Sequence, residues 1–213
     1  ANTEGMDKLI NNPEFKVEVN PKPTPEKFSQ LLTEYDGVLI RSEVKITEEV
    51  IKQTKNLKFI GRAGTGVDNI DLKSATENGI VVMNVPAGNT ISACEHTFAL
   101  ILALARNIPQ AQASLKSNQW TREKFLGTEL QGKVLGLIGL GRIGKEVSKR
   151  AYSFGMKVIA YDPFVSADFA NSINVELKTL DELYREADFI SIHAPLNETT
   201  RHLINEDSIK KMK

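Results

Sequence analysis

Gly139, Gly141 and Gly144 stand where an apolar run, Lys133-Val-Leu-Gly-Leu-Ile138, gives way to a helix-like stretch opening on Arg142 and Ile143. Glycines at this spacing can hold a phosphate. The first permits a tight turn, the second lets backbone approach a pyrophosphate, and the third lets helix and strand pack closely. The free N–H groups and positive dipole end of a helix over residues 142–154 then face the phosphates. A second apolar run ends in Asp162, 21 residues after Gly141, where a carboxylate can accept both hydroxyls of an adenosine ribose. Strand, glycine turn, helix, strand and acid together read as a dinucleotide site. Charge selects the cofactor. A 2′-phosphate would be repelled by Asp162, and Pro163-Phe164 follows in place of an arginine, so NAD is expected over NADP.

A second glycine loop, Arg62-Ala-Gly-Thr-Gly-Val67, follows another strand-like run. Successive N–H groups in such a loop form a concave nest for a carboxylate. Arg41 and Arg62 both fall at the ends of strand-like runs, where open α/β sheets bind ligands, and guanidinium forks suit phosphate oxygens. Asn89, after Gly88, stands where it could cap the next helix, bind substrate, or do both. Arg122 and Lys124 flank Trp120 in a segment too polar for a core. His96, His193 and His202 lack a spaced set of Cys, Asp or Glu, so no metal site and no catalytic histidine are expected. The single cysteine, Cys94, excludes an internal disulfide and reads as a small buried hydrophobe in a reducing, cytoplasmic compartment.

The elements that position these residues follow from pattern. Runs at 15–19, 37–40, 57–60 and 80–83 read as strands, alternating with helices at 25–34, 47–54 and 71–78. Thr24 and Thr47 are candidate caps, Asn78-Gly79 is a helix stop, and a proline-rich turn occupies 21–25. A long helical stretch, 90–116, follows with a break at Pro109. Then come strands at 134–138, 158–161 and 189–192, and a helix at 179–186. Strands separated by helices imply parallel sheets. The expected fold is α/β, with two Rossmann- or flavodoxin-like domains at 1–88 and 89–213. Three strands fall short of the roughly six of a full dinucleotide fold, so the second domain is expected to be incomplete. An opening on Ala1 and an end on Lys210-Lys-Met-Lys213 agree with a truncated chain. Twenty-seven basic and 27 acidic residues cancel, which argues against nucleic acid or a membrane surface as partner. The richest apolar run, residues 97–105, is nine long and reads as a buried helix.

Gly61-Arg-Ala-Gly-Thr-Gly-Val-Asp-Asn69, Met83-Asn-Val-Pro-Ala-Gly-Asn-Thr90, the glycine triplet, Tyr161-Asp-Pro163 and His193-Ala-Pro-Leu196 stand in one order. In that order the chain resembles the D-2-hydroxyacid dehydrogenases. Arg41-Ser42 and Trp120-Thr-Arg-Glu-Lys-Phe125 resemble the branch that oxidises 3-phosphoglycerate to 3-phosphohydroxypyruvate, the entry to serine. The resemblance implies a substrate domain at 1–88 and an NAD domain at 89–213, with the crossover helix at 90–106. It places a substrate carboxylate at Gly64, Gly66 and Val67, Thr65 near the nicotinamide, and Ala194 and Pro195 in the adenosine pocket. It also implies that Arg122 and Lys124 reach the active site of a second subunit, and that the catalytic Arg, Glu and His lie beyond Lys213. No catalytic group is then expected in this stretch. Ile91, Leu100, Leu102 and Leu104 make the crossover helix apolar nearly all round, which calls for cover. With Trp120 and Phe125 as anchors, this predicts a homodimer or higher homo-oligomer. Glyoxylate or hydroxypyruvate reduction is one alternative, and an NAD-binding corepressor-like protein is another.

Overall fold

The computed structural model describes residues 5–19 and 24–213; the start of the proline-rich turn expected at 21–25 lies outside them. The chain divides into two compact units, Ala1–Pro86 and Ala87–Lys213. The first carries α1 (Asp7–Ile10), α2 (Pro25–Leu32), β1 (Gly37–Ile40), α3 (Glu48–Gln53), β2 (Phe59–Arg62), α4 (Leu72–Glu77) and β3 (Val81–Asn84). Its strands form a parallel sheet in the order β1-β2-β3. Because side chains alternate along a strand, Val38, Ile40, Ile60 and Val82 share one face. They join Leu32, Ile46, Ile51, Leu57, Ala75 and Ile80 in a single core. Leu39, Val81 and Met83, on the alternate positions, stay about half exposed.

Local chemistry sets most helix ends. Asp71 caps α4 by accepting the Ser74 N–H at 2.8 Å, and Gly79, at φ +68°, closes it. Thr24 accepts the Lys27 N–H at 3.4 Å and opens α2. Thr47 does not cap α3; its hydroxyl donates to the Glu49 carboxylate at 2.8 Å. Nor do residues 15–19 form a strand. The Phe15 N–H is spent on a local turn to the Asn12 carbonyl, and a lone extended segment has no ladder to complete.

The second unit carries α5 (Thr90–Ala105), α6 (Ile108–Lys116), β4 (Val134–Ile138), α7 (Arg142–Ser153), β5 (Lys157–Tyr161), α8 (Ala167–Ser172), β6 (Glu176–Leu177), α9 (Leu180–Glu186), β7 (Phe189–Ile192) and α10 (Glu206–Ile209). All four strands run parallel in the order β6-β5-β4-β7. On one face Leu135 and Leu137 of β4 pack with Phe98 and Ile101 of α5 and Val147 and Ala151 of α7. On the other, Ile138 and Ile159 meet Leu183, Tyr184 and Ala187 in and beside α9. Helices on both faces are what a parallel sheet needs. The long helical stretch breaks before Pro109, at Asn107, whose φ is 52°. Pro109 then sits in the first turn of α6, where its missing N–H costs nothing. The run at 97–105 is buried on one side only: Phe98, Ile101 and Ala105 face inward, whereas Leu104 is 71% exposed. Short elements carried too little pattern to be read from the sequence, among them α1, the two-residue β6 and α8, which the Ser166 side chain caps. Among the described residues no helix is long and apolar enough to cross a membrane.

Leu137 is fully buried at the centre of β4, so Leu137→Ala should cost about 2–5 kcal/mol of unfolding free energy. Leu39→Ala, on the open sheet face, should cost well under half of that; denaturant titration of both variants checks the contrast.

Candidate functional site

The turn after β4 is shaped by three glycines with different duties. Gly139 takes φ +97°, and a Cβ there would lie 2.7 Å from the backbone carbonyl of His193. A Cβ on Gly144 would lie 2.3 Å from the Gly139 carbonyl oxygen, so α7 begins in direct contact with the turn. Gly141 is unlike both. Its φ is −70°, and a Cβ there would have nothing within 4 Å. The fold needs Gly139 and Gly144, while at Gly141 the backbone lies bare toward open space. The amides of Arg142, Ile143 and Gly144 occupy the first turn of α7, where helical N–H groups have no intrahelical acceptor. Bare backbone beside a helix N-terminus fits a pyrophosphate.

Asp162 follows β5 and is used twice by the protein itself. One carboxylate oxygen accepts the Leu140 N–H at 2.8 Å and the other accepts the Phe164 N–H at 2.9 Å. The acid therefore ties the glycine turn to the end of the neighbouring strand. A carboxylate offers about four acceptor positions, so acceptor capacity for ribose hydroxyls remains. From β7, the His193 N–H reaches back to the Ile138 carbonyl at 2.7 Å. Ala194 packs on the Ile138–Ile159 cluster, and Pro195 is exposed. The His193 Nε2 lies 3.0 Å from the Ser191 hydroxyl, and burial holds its pKa below the usual histidine range. Burial thus favours the neutral imidazole here. Gly139, Gly141, Arg142, Ile143, Gly144, Asp162, Ala194 and Pro195 thus converge at the C-terminal ends of β4, β5 and β7. Strand order reverses at β4, and such a switch point is where open sheets bind ligands.

In the first unit Arg62 ends β2 and folds over its own loop. Its Nη1 would lie 2.6 Å from a Cβ on Gly64 and 3.6 Å from one on Gly66. Its Nε is buried without a hydrogen-bond partner among the described residues. The loop is tied to the end of β3: the Val85 N–H donates to the Gly64 carbonyl at 2.9 Å. The Asn84 side chain donates to the Thr65 carbonyl at 2.6 Å, and the Thr65 hydroxyl to the Val85 carbonyl at 3.3 Å. Val67 accepts the Ile70 N–H. Arg41, just past β1, is exposed. Asn69 was not singled out by pattern, yet it is buried and donates to the carbonyls of both Arg41 and Val44. In the sequence Asn69 stands only as the last residue of the Gly61–Asn69 motif, with nothing along the chain to show which carbonyls its amide would meet.

The remaining candidates stand on separate elements of the second unit. Asn89 is the N-cap residue of α5 without a side-chain capping bond, and its carbonyl accepts the Ala93 N–H at 2.8 Å. Arg122 and Lys124 are exposed in a 3-10 turn, Arg122–Phe125, two residues beyond Trp120, itself 73% exposed. Cys94 is buried, and desolvation pushes its thiol pKa up, the setting of a structural rather than a reactive cysteine. No cluster that could hold a metal occurs among the described residues.

A parallel sheet with helices on both faces, and a glycine turn and an acid at its switch point, defines a nucleotide-binding α/β protein. Residues 98–213 match the family model described as D-isomer specific 2-hydroxyacid dehydrogenase, NAD binding domain. The chain belongs to that family, and its nucleotide cofactor is NAD. It is 50% identical over 199 residues to the D-3-phosphoglycerate dehydrogenase of Methanocaldococcus jannaschii, covering 93% of this chain and 38% of the relative. The corresponding enzyme of Bacillus subtilis is 45% identical over 210 residues, 99% of this chain and 39% of its own length. The chain thus spans about two fifths of the length of these relatives. Among solved structures, a D-lactate dehydrogenase from Aquifex aeolicus in complex with NAD and lactic acid matches with a TM-score of 0.89 at 32% identity. That match covers 97% of this chain and 62% of the other.

The three glycines separate stability from binding. Gly144→Ala should lose about 1–3 kcal/mol of stability, since backbone rather than a flexible side chain stands in the way. Gly141→Ala should melt with the unsubstituted protein yet bind NAD more weakly. Calorimetric melting and NAD titration of both variants decide it; equal melting losses would contradict the division.

Proposed function

We propose that this chain is the substrate- and NAD-binding part of a dehydrogenase that oxidises 3-phosphoglycerate at C2 to 3-phosphohydroxypyruvate. The observation that carries the phosphorylated substrate is Arg62. Its guanidinium lies over the Gly64–Gly66 loop with a buried Nε still to be paired, and a buried donor of that kind favours an anionic ligand. The loop amides of Gly64, Gly66 and Val67 would take the carboxylate, Arg41 and Arg62 the phosphate, and Asn89 a further polar contact. The 45–50% identity to enzymes named D-3-phosphoglycerate dehydrogenase supports this choice.

Bound NAD supplies the hydride acceptor. The Gly139–Gly144 turn would cradle its pyrophosphate, Asp162 would accept the ribose hydroxyls, Ala194 and Pro195 would line the adenine side, and Thr65 would lie toward the nicotinamide. What the chain contributes to rate is orientation and charge. The hydroxyl proton needs a base that none of the three histidines supplies on this reading, since His193 is paired with Ser191. These 213 residues alone should therefore bind NAD without turnover, general acid–base help being worth roughly 10²–10⁴ in rate.

Asp162→Ala removes the acceptor of two backbone amides as well as the ribose contact. It should weaken NAD by about 1.5–3 kcal/mol and narrow the preference over NADP. Fluorescence titration with both nucleotides, beside an NADH-production assay of the 213-residue chain, checks this reading. Unchanged NAD affinity, or turnover above background, would count against it.

We also propose self-association through α5 and the segment after α6. Leu100 and Leu104, one turn apart on α5, are exposed, as is Trp120, and on this reading these apolar side chains are what a second copy covers. A second copy laid against it would bring Arg122 and Lys124 to its neighbour's substrate loop. Light scattering at micromolar concentration should give at least a dimer, and Trp120→Ala should shift it toward monomer; a monomer insensitive to Trp120 would remove this interface.

A further inference from the structure

Asn69 adds side-chain bonds between two segments that the sheet and a backbone bridge at Ile46 and Ile70 already bring together. Its side-chain amide donates to the Val44 carbonyl at 2.6 Å and to the Arg41 carbonyl at 3.2 Å. Its own carbonyl accepts the Ile46 N–H at 2.8 Å, and the Asp71 N–H returns to the Ile46 carbonyl at 2.9 Å. The segment that carries Arg41 is therefore laced to the segment that carries the Arg62 glycine loop, and the side chain of one residue makes two of those bonds. Asn69 is 8% exposed and both its amide hydrogens are engaged, so it has no donor left for a ligand. Its Oδ1 is buried without a hydrogen-bond partner among the described residues. An unsatisfied buried acceptor is a standing cost, and such violations of local rules gather where function holds them.

We propose that Asn69 is a positioning residue: by holding the main chain at Arg41 it fixes that guanidinium against the Arg62 loop, so that the two can grip one phosphorylated anion. This rests on the assignment of Arg41 and Arg62 to substrate. The residue acts through the backbone of Arg41 and touches neither substrate nor cofactor.

A double-substitution cycle in the full-length protein tests it, with 3-phosphoglycerate as the titrated substrate at saturating NAD. Arg41→Ala should raise KM about tenfold to hundredfold, the range for a lost hydrogen bond to a charged group. Asn69→Ala should raise KM about tenfold with kcat within about twofold and NAD affinity unchanged, and the double variant should be no worse than Arg41→Ala alone. Multiplying effects would overturn action through Arg41, as would a fall in kcat with KM unmoved. An Arg41→Ala variant with unchanged KM would instead sink the substrate assignment, a distinct result. Should Asn69→Ala fail to fold, Asn69→Asp keeps the volume without the N–H donors and repeats the cycle; loss of the fold in both would make Asn69 a stability residue and overturn the proposal.

Discussion

A close approach of backbone to backbone at the end of β4 holds the second unit's site together. The carbonyl of Gly139 occupies the space a Cβ on Gly144 would need, and Gly139 itself lies against the backbone of His193. A side chain at Gly144 would push α7 off the turn, and one at Gly139 would push the turn off the backbone that follows β7. With both absent, α7 starts directly at the C-terminal end of β4 with its first amides free of intrahelical acceptors. Packing beneath follows from that placement: α7 in contact with the turn can bury Val147 and Ala151 against Leu135 and Leu137. Asp162 then locks the turn from the other side through Leu140.

The two units use the same element, a glycine loop at the C-terminal end of parallel strands, with opposite electrostatics. Around Gly141 the protein offers neutral amides, a helix dipole and one carboxylate. On the proposed reading that set would take a pyrophosphate, leave hydrogen-bond acceptors for sugar hydroxyls and disfavour an additional phosphate beside Asp162. Around Gly64 the protein offers a guanidinium in contact with the loop. A cation whose Nε is desolvated and unpaired gains more from an anion than a solvated one does.

Much of this was legible in the sequence. The glycine spacing, Asp162 and the alternation of strand and helix each depend on residues close in the chain, where local geometry decides. The expectation of α/β architecture with parallel sheets stands, as does NAD. Departures came where a distant neighbour was needed, or where two local arrangements competed. Residues 15–19 have the alternation of a strand and no ladder. Thr47 has the position of a cap, but its hydroxyl prefers Glu49. The run at 97–105 is apolar enough for burial all round and is buried on one side. The break in the long helix falls at Asn107, because a proline in a first helical turn is compatible with the helix that follows it.

By itself the sequence determined the family and its NAD cofactor, because the motifs that carry them are written in residue types at fixed short spacings. Tertiary structure alone decided that Gly141 faces open space while Gly139 and Gly144 face backbone, since the three are the same residue and differ only in what lies around them. It alone decided that Asp162 also serves the protein's own amides, and that Asn69 clamps the Arg41 loop from 28 residues away. A hydrogen bond across such a separation forms only after the sheet has brought β1 and β2 side by side. No pattern along the chain encodes which carbonyl will be waiting there.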